Sequence, residues 1–287
     1  MTDLVTGLRK PLRLALVVSR NAEVGTWPAL PKSIREDSRL LFEDCAGRYP
    51  EMDPFWGGPD EVISLLGEFP SSVHRSARLL DLGCGPGLHV LGLWQASRSL
   101  WPQAPTVSAA AVDFSATMIR RATEIARARG IEDGVTFVCQ DLVNSWSDTS
   151  ETADVVLCLN NTLGNLVGDG LGSSPRERGR FLARVAEVLR PGGRLVLSVF
   201  SRSYYRTNLE GASTYTHDRR IDPRYSDAAS GSFLLWRRCA DDADRCCVSH
   251  WFLPEELRGL LESAGLCVLD VRAIGPRLYA VASKVRS

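Results

Sequence analysis

The sequence predicts an α/β fold: a doubly wound parallel sheet with helices on both faces. Three observations predict it. An apolar strand at Arg78–Leu82 runs into a glycine-rich turn, Gly83, Gly85 and Gly87, that opens a helix. From Ala77 onward, strand-like and helix-like segments alternate. Ala153–Asn160 is a near-continuous apolar run, the pattern of a parallel strand covered on both sides.

Residues 1–76 lack that alternation and read as an N-terminal helical cap packed beside the main sheet. Within them Ser33–Cys45 and Pro59–Leu66 carry apolar stripes at helical spacing, Leu40 and Leu41 in the first, Val62, Ile63, Leu65 and Leu66 in the second. Pro50, Pro54, Gly57 and Gly58 break the chain between them. The core follows over residues 77–200. After the first strand and a helix from Gly87 to Ala96, a loop holding Trp101, Pro102 and Pro105 leads to a strand at Thr106–Asp113. Ala116–Arg129 is the next helix, with Ser115 as its N-cap and Gly130 as its stop. Strands at Val135–Gln140 and Ala153–Asn160 come next. A helix over Arg176–Leu189 ends at Pro191-Gly192-Gly193, which turns into a strand at Arg194–Val199.

Residues 201–252 depart from the pattern and read as a lid that selects the substrate, with short strands at Ser232–Ala240 and Arg245–Phe252. Residues 253–287 complete the core. A helix opens at Pro254 and stops at Gly265, and strands follow at Leu266–Ala273 and Leu278–Ser283.

Composition excludes several classes. With 34 basic and 34 acidic residues in 287, no overall field favours nucleic acid. The cluster Arg176, Arg178 and Arg180 is interrupted by Glu177 and reads as a solvated helix face. Leu14–Val18 is too short for a signal-peptide core, and no apolar stretch approaches the ~20 residues of a membrane span, so the expected location is the cytoplasm. Cys239, Cys246, Cys247 and His250 match no familiar zinc spacing, and adjacent cysteines on a strand face opposite ways, so no metal is expected.

The polar candidates fall at the carboxyl ends of strands, where open parallel sheets bind ligands. Asp113 closes the second strand. An acid there accepts hydrogen bonds from both hydroxyls of a ribose, with Phe114 and Met118 as apolar surface for an adenine. Asp141, followed by Leu142, closes the third. A carboxylate and a neighbouring N–H match the amino edge and ring nitrogen of adenine. Asn160 and Asn161 close the fourth, within N-N-T-L-G-N, and offer carbonyl acceptors near a reacting centre. The loop is G-x-G-x-G, with Leu88 where a dinucleotide loop has its third glycine. Together with Asp81, that points away from a nicotinamide cofactor.

In order, the segments D-L-G-C-G-P-G, A-V-D-F-S, C-Q-D-L, N-N-T-L-G-N and L-R-P-G-G-R-L-V-L resemble the class I S-adenosylmethionine-dependent methyltransferases over residues 77–200. The resemblance implies a Rossmann-like seven-stranded sheet with a final antiparallel hairpin. It implies S-adenosylmethionine as cofactor and S-adenosylhomocysteine as product. Asp81 and the Gly83–Cys84–Gly85 backbone would line the methionine part, Asp113 would hold the ribose and Asp141 would read adenine. Phe114, Met118, Leu142 and Asn160 would complete the cofactor site.

The run C-L-N-N-T-L-G-N-L, with S-R-S-Y-Y after the fifth strand, is similar to small-molecule N-methyltransferases of the glycine and sarcosine type. That similarity implies that Asn161 touches the acceptor, that Arg202 binds an acceptor carboxylate, and that Tyr49, Tyr204 and Tyr205 close the site. Methyl transfer from a sulfonium is an in-line displacement. A neutral amine needs only a lone pair aimed by a group such as Asn161, whereas a hydroxyl needs a general base. In the lid segment, His217 and His250 are the candidates for that base. The expected function is methylation of a small organic molecule, N-methylation ahead of O- or C-methylation of a natural product, with a peptide or RNA as alternative acceptors. The arginine- and alanine-rich, lysine-poor composition associates with GC-rich bacterial genomes and secondary metabolism. No nucleic acid or membrane partner is expected, and a homo-oligomer is left open.

Overall fold

The computed structural model describes residues 27–46, 58–67, 76–131, 133–143, 152–168, 170–171, 174–209, 214–216 and 219–285. Two helices precede the core, α1 (Ile34–Cys45) and α2 (Pro59–Leu66). The core runs β1 (Ala77–Leu82), α3 (Leu88–Leu100), β2 (Val107–Asp113), α4 (Ala116–Ala128), β3 (Val135–Cys139) and β4 (Ala153–Cys158). Then come α5 (Thr162–Asn165), α6 (Ser174–Val188) and β5 (Leu189–Phe200). The segment beyond it holds α7 (Arg202–Leu209), β6 (Thr214–Thr216), β7 (Arg219–Ile221), β8 (Ser232–Arg238) and β9 (Asp244–His250). The chain closes with α8 (Pro254–Ser263), β10 (Leu266–Ile274) and β11 (Arg277–Lys284).

Seven strands form one sheet in the order β10-β11-β5-β4-β1-β2-β3. β1 through β5 are parallel, and β11 runs antiparallel to both β5 and β10. This is the predicted doubly wound Rossmann-like sheet with its final hairpin. All six residues of β4 are buried, which is why that strand reads as apolar without alternation. β1 pairs with β2 on one side and β4 on the other, so the winding reverses direction there and leaves a crevice at the carboxyl ends.

The turn after β1 is tight for a local reason. Gly87 takes φ 75° as the N-cap of α3, and a Cβ on it would lie 2.9 Å from the Phe137 ring. Ser115 caps α4 as the sequence indicates, accepting from Met118 N–H at 3.1 Å. One difference lies at Pro191–Gly193. β5 begins earlier than expected, at Leu189, and its register with β4 jumps from Ala153↔Leu189 to Val155↔Arg194. A proline with no N–H to donate, followed by two glycines, bulges out of the ladder without ending the strand.

The remaining four strands form a second, antiparallel sheet in the order β6-β7-β8-β9. Both faces of its β8–β9 hairpin are covered. Phe233, Leu235, Cys247 and Trp251 pack with Leu41 and Cys45, while Leu234, Trp236, Cys246 and Val248 pack with Ile34. Helix α1 therefore packs on this second sheet rather than on the main one. Its buried residues Ile34, Ser38, Leu41 and Cys45 recur at helical spacing. Asp37 and Ser38 also bond the Cys246 backbone N–H and carbonyl. Helix α2 does meet the main sheet, where Tyr279 of β11 donates to Glu61 at 2.7 Å.

Cys239, Cys246 and Cys247 are buried free thiols. Among the described residues no helix is long and apolar enough to cross a membrane. The arginine cluster of α6 is not one solvated face: Arg176 and Arg180 are exposed, but Arg178 is 5 % exposed.

Candidate functional site

A cleft with about 830 Å³ of empty space opens at the crevice between β1 and β4. Its floor is Gly83 and Gly85 of the turn after β1. Asp113, Phe114 and Met118 line one wall, and Asp141, Leu142 and Val143 extend it. Asn160, Thr162, Asn165, Leu166 and Val167 face them, and Arg35, Ser38 and Phe42 of α1 form the roof. Asp81 and Cys84 lie beside this cleft, around a smaller pocket that shares Gly83 and Asn160 with it.

The acids are set by backbone. Asp113 accepts from Gly85 N–H at 2.8 Å and from Ser115 N–H at 2.9 Å, one on each oxygen. Each oxygen keeps a lone pair. Burial raises its pKa to about 6 against the pull of those two N–H groups. Asp81 is 2 % exposed, and burial, with the Asp113 charge behind it, raises it to about 8. Burial also pushes the Cys84 thiol well up, so it is no nucleophile at neutral pH. Asp141 accepts from Val143 N–H at 2.8 Å on one oxygen and from Arg35 Nε and Nη2 at 2.8 and 2.6 Å on the other. Glu43 of α1 accepts from Ala116 and Thr117 N–H at 2.8 and 3.1 Å, so the cap grips the first turn of α4.

Asn160 and Asn161 both take left-handed backbone, φ 55° and 64°, which asparagine tolerates better than other non-glycine residues. Their side chains part ways. Asn160 Oδ1 is buried with no hydrogen-bond partner among the described residues and stands where the two pockets meet. Asn161 is 0 % exposed and does not line the cleft. Its amide donates to Asn165 Oδ1 and Ser249 Oγ, both at 3.1 Å, and accepts from Phe200 N–H at 3.1 Å. The acceptor contact read for Asn161 is thus corrected: its amide is spent tying α5 to β5 and β9.

Arg202 needs the same correction. Its guanidinium donates to the Trp251 carbonyl at 3.0 Å and the Ala229 carbonyl at 2.9 Å, and pairs with Glu256. Three of its five N–H donors are thus committed within the protein, and the side chain does not line the cleft. Tyr204 is 40 % exposed and meets Tyr205 edge-on, while Tyr205 packs on Phe200 and Trp251; neither lines the cleft. His250 is a buried structural residue, held by Glu256 at 2.6 Å and Ser232 at 3.0 Å. Burial, opposed by Glu256, holds it below the ordinary histidine value. Tyr49 and His217 lie outside the described residues.

Arg35, Thr162 and Asn165 line the cleft without having been singled out. Thr162 and Asn165 fall inside N-N-T-L-G-N, where asparagines at i and i+4 were a readable helical pair. Arg35 gave no signal, because its partner is 106 residues away.

The donor set fits one kind of ligand. Asp113 and Asp141 retain acceptor capacity, and Asn160 contributes an orphaned carbonyl, so the cleft calls for a molecule rich in N–H and O–H groups. Two carboxylates against one guanidinium favour a net cation. A nucleoside bearing a sulfonium and an amino-acid tail meets both conditions.

Residues 79–193 match the model of a methyltransferase domain family. The chain is 32% identical over 142 residues to a carboxy-S-adenosyl-L-methionine synthase of Shewanella sediminis, covering 49% of this chain and 52% of that one. It is 30% identical over 193 residues to the Yersinia enterocolitica protein of the same name, covering 67% and 62%. The matched region thus spans about half to three-fifths of these curated relatives. A solved complex of DhpI with S-adenosylhomocysteine superposes with a TM-score of 0.56 at 20% identity, covering 90% of this chain and 100% of that one. The crevice, its acids and these likenesses agree: residues 79–193 form a methyltransferase domain, on the fold shared with S-adenosylmethionine-dependent methyltransferases.

Proposed function

We propose that this protein transfers the methyl group of S-adenosylmethionine to a small organic molecule, with a neutral amine as acceptor. The observation that carries the reading is the roofed cleft. Asp113, Asp141 and the Gly83–Gly85 backbone would hold the cofactor, with Phe114, Met118 and Leu142 against its apolar surfaces and Asp81, Cys84 and Asn160 toward its other end. Helix α1 covers this cleft with Arg35, Ser38 and Phe42, which favours an acceptor small enough to share an enclosed space.

The cofactor supplies an electrophilic methyl group. The chain's own residues then need to bind, align and exclude water, and positioning alone can contribute roughly 7–11 kcal/mol. Away from Asp113 and Asp141, the polar side chains lining the cleft are Arg35, Ser38, Asn160, Thr162 and Asn165, none of them a carboxylate or an imidazole. Amides and a hydroxyl can aim a lone pair. They do not remove a proton from a hydroxyl, which supports N- over O-methylation.

Labelled S-adenosylmethionine incubated with a host lysate, fractionated into metabolites, RNA and protein, tests the substrate class. Label in the metabolite fraction is expected; label in RNA or protein would overturn the small-molecule reading. Asp113→Ala is expected to abolish cofactor binding by calorimetry while leaving the circular dichroism spectrum unchanged.

The curated relatives favour a second reading, in which the cofactor itself is carboxylated. An added carboxylate would need a cation. The guanidinium lining the described cleft, Arg35, is already committed to Asp141, which sets this reading second. Mass spectrometry of the spent cofactor separates the two, because methyl transfer leaves S-adenosylhomocysteine and carboxylation leaves a heavier sulfonium.

A further inference from the structure

Helix α6 carries a buried polar pair that the cofactor cleft does not use. Arg178 is 5 % exposed and Ser174, four residues earlier, 3 % exposed. Residues at i and i+4 lie one above the other on a helix, and helical side chains lean toward its N-terminus. Ser174 and Arg178 therefore share the buried face of the first two turns.

Among the described residues, Arg178 Nη1 and Ser174 Oγ are both buried with no hydrogen-bond partner. Such orphans are rare, because a buried donor without a partner costs about 1–3 kcal/mol, and more if charged. The Arg178 guanidinium lies 5.9 Å from the centre of the Phe252 ring. Glu256 is the acid whose charge it feels, but Glu256 is already bound by Arg202 and His250. Burial holds Arg178 down to about 10, a loss that the Glu256 charge does not make good. Glu177, the acid of the same turn, pairs with Arg180 at 3.4 Å.

Two guanidiniums, Arg178 and Arg202, both feel the Glu256 charge, Arg202 also that of Asp227, and His250 is held toward its neutral form. Ser174 and Arg178 stand in the first two turns of a 15-residue helix, where the first N–H groups add partial positive charge. A guanidinium edge, a hydroxyl and a helix N-terminus are all donors, and what complements them is an anion with several acceptor oxygens.

We propose that Ser174, Arg178 and the first turn of α6 form a binding site for a small oxyanion, a carboxylate or a phosphate. Arg178 supplies charge and a planar donor edge, Ser174 a hydroxyl donor, and Phe252 an apolar wall. The oxyanion is either free in solution or the acid group of the acceptor. The site is built from residues that do not line the cofactor cleft, so its occupancy can be read whether or not methyl transfer is seen.

Calorimetric titration with inorganic phosphate and, separately, with acetate, at an ionic strength fixed by chloride, tests the site. Cofactor affinity measured in parallel reports that each variant is folded. Saturable binding of at least one probe is expected. Arg178→Met should weaken it about tenfold or more, the size of a charge-assisted contact, and Ser174→Ala by roughly fivefold. Arg178→Lys should keep part of it, since the charge survives and the planar edge does not. Phosphate that inhibits methyl transfer to lysate acceptors places the oxyanion on the acceptor; binding without inhibition assigns a free anion, and both keep the site. Absence of saturable heat from either probe, or wild-type binding by Arg178→Met, overturns the proposal.

Discussion

Asp81 and Asp113 show how a buried acid converts location into pH dependence. Asp81 titrates near pH 8 in the folded chain against 3.8 for an ordinary aspartate, because burial disfavours its charge and Asp113 repels it. Between those values the folded state holds a proton that the unfolded chain has lost. Its contribution to stability is therefore complete below about pH 4 and is lost as pH rises through about 8. Asp113 adds a smaller contribution of the same sign that ends near pH 6. The melting temperature of the ligand-free protein should fall from pH 5 to pH 8, and Asp81→Asn should flatten the upper part of that slope; identical profiles would refute the assignment. A cation entering the cleft favours the Asp81 carboxylate. Cofactor binding at pH 7 should then release a proton, read as a binding enthalpy that changes with the ionisation enthalpy of the buffer, and Asp81→Asn should release none. Asp81 and Asp113 were legible in the sequence because a strand end fixes where such a side chain goes. The Asn161 amide was not: whether it faces a ligand or ties α5 to β9 depends on Ser249, 88 residues away.

Helix α1 was legible as a helix and illegible as a roof. Its stripe of Ile34, Ser38, Leu41 and Cys45 announces an apolar face, but periodicity does not say which sheet that face meets. What decides is the β8–β9 hairpin, which meets Leu41 and Cys45 of α1 on one face and Ile34 on the other. Once docked, α1 places Arg35 on Asp141 and Glu43 on the first turn of α4, so the cap is fastened at two points along one wall of the cofactor cleft. The Arg35–Asp141 pair is partly buried, with side chains 21% and 32% exposed, and a pair of that kind contributes about 1 kcal/mol. Arg35→Ala should weaken cofactor binding by roughly fivefold, the equivalent of that energy, and Arg35→Lys by less. Hydrogen exchange at the α1 amides should quicken in Arg35→Ala and slow again when cofactor is added. Unchanged exchange with weakened binding would show that Arg35 acts on the ligand alone.

The molecule joins a main sheet that follows general rules to a second sheet that does not announce itself. Alternation, glycine turns and continuous apolar strands specify the first, because each parallel strand must be covered on both faces and crossed over in one hand. The second sheet depends on contacts between segments far apart in sequence, such as Cys45 near the start of the chain with Leu235 and Cys247. Leu41 and Leu235 are each 0 % exposed, and Phe200, at the end of β5 in the main sheet, belongs to the same cluster. The two sheets therefore share a core through α1 and should unfold together. Leu235→Ala should cost about 2–5 kcal/mol, the usual penalty for emptying a buried leucine site. Thermal unfolding should stay a single transition by far-ultraviolet circular dichroism and by tryptophan fluorescence, which reads Trp236 and Trp251 at the second sheet together with Trp94 and Trp101 at the main one. Cofactor at a hundred times its Kd should recover about 2.7 kcal/mol in the wild type and less in Leu235→Ala, because the variant spends binding free energy on redocking the roof. Two separated transitions, with the tryptophan signal changing in two steps and no difference in cofactor rescue, would show instead that the second sheet is an independent unit and that the cleft is complete without it.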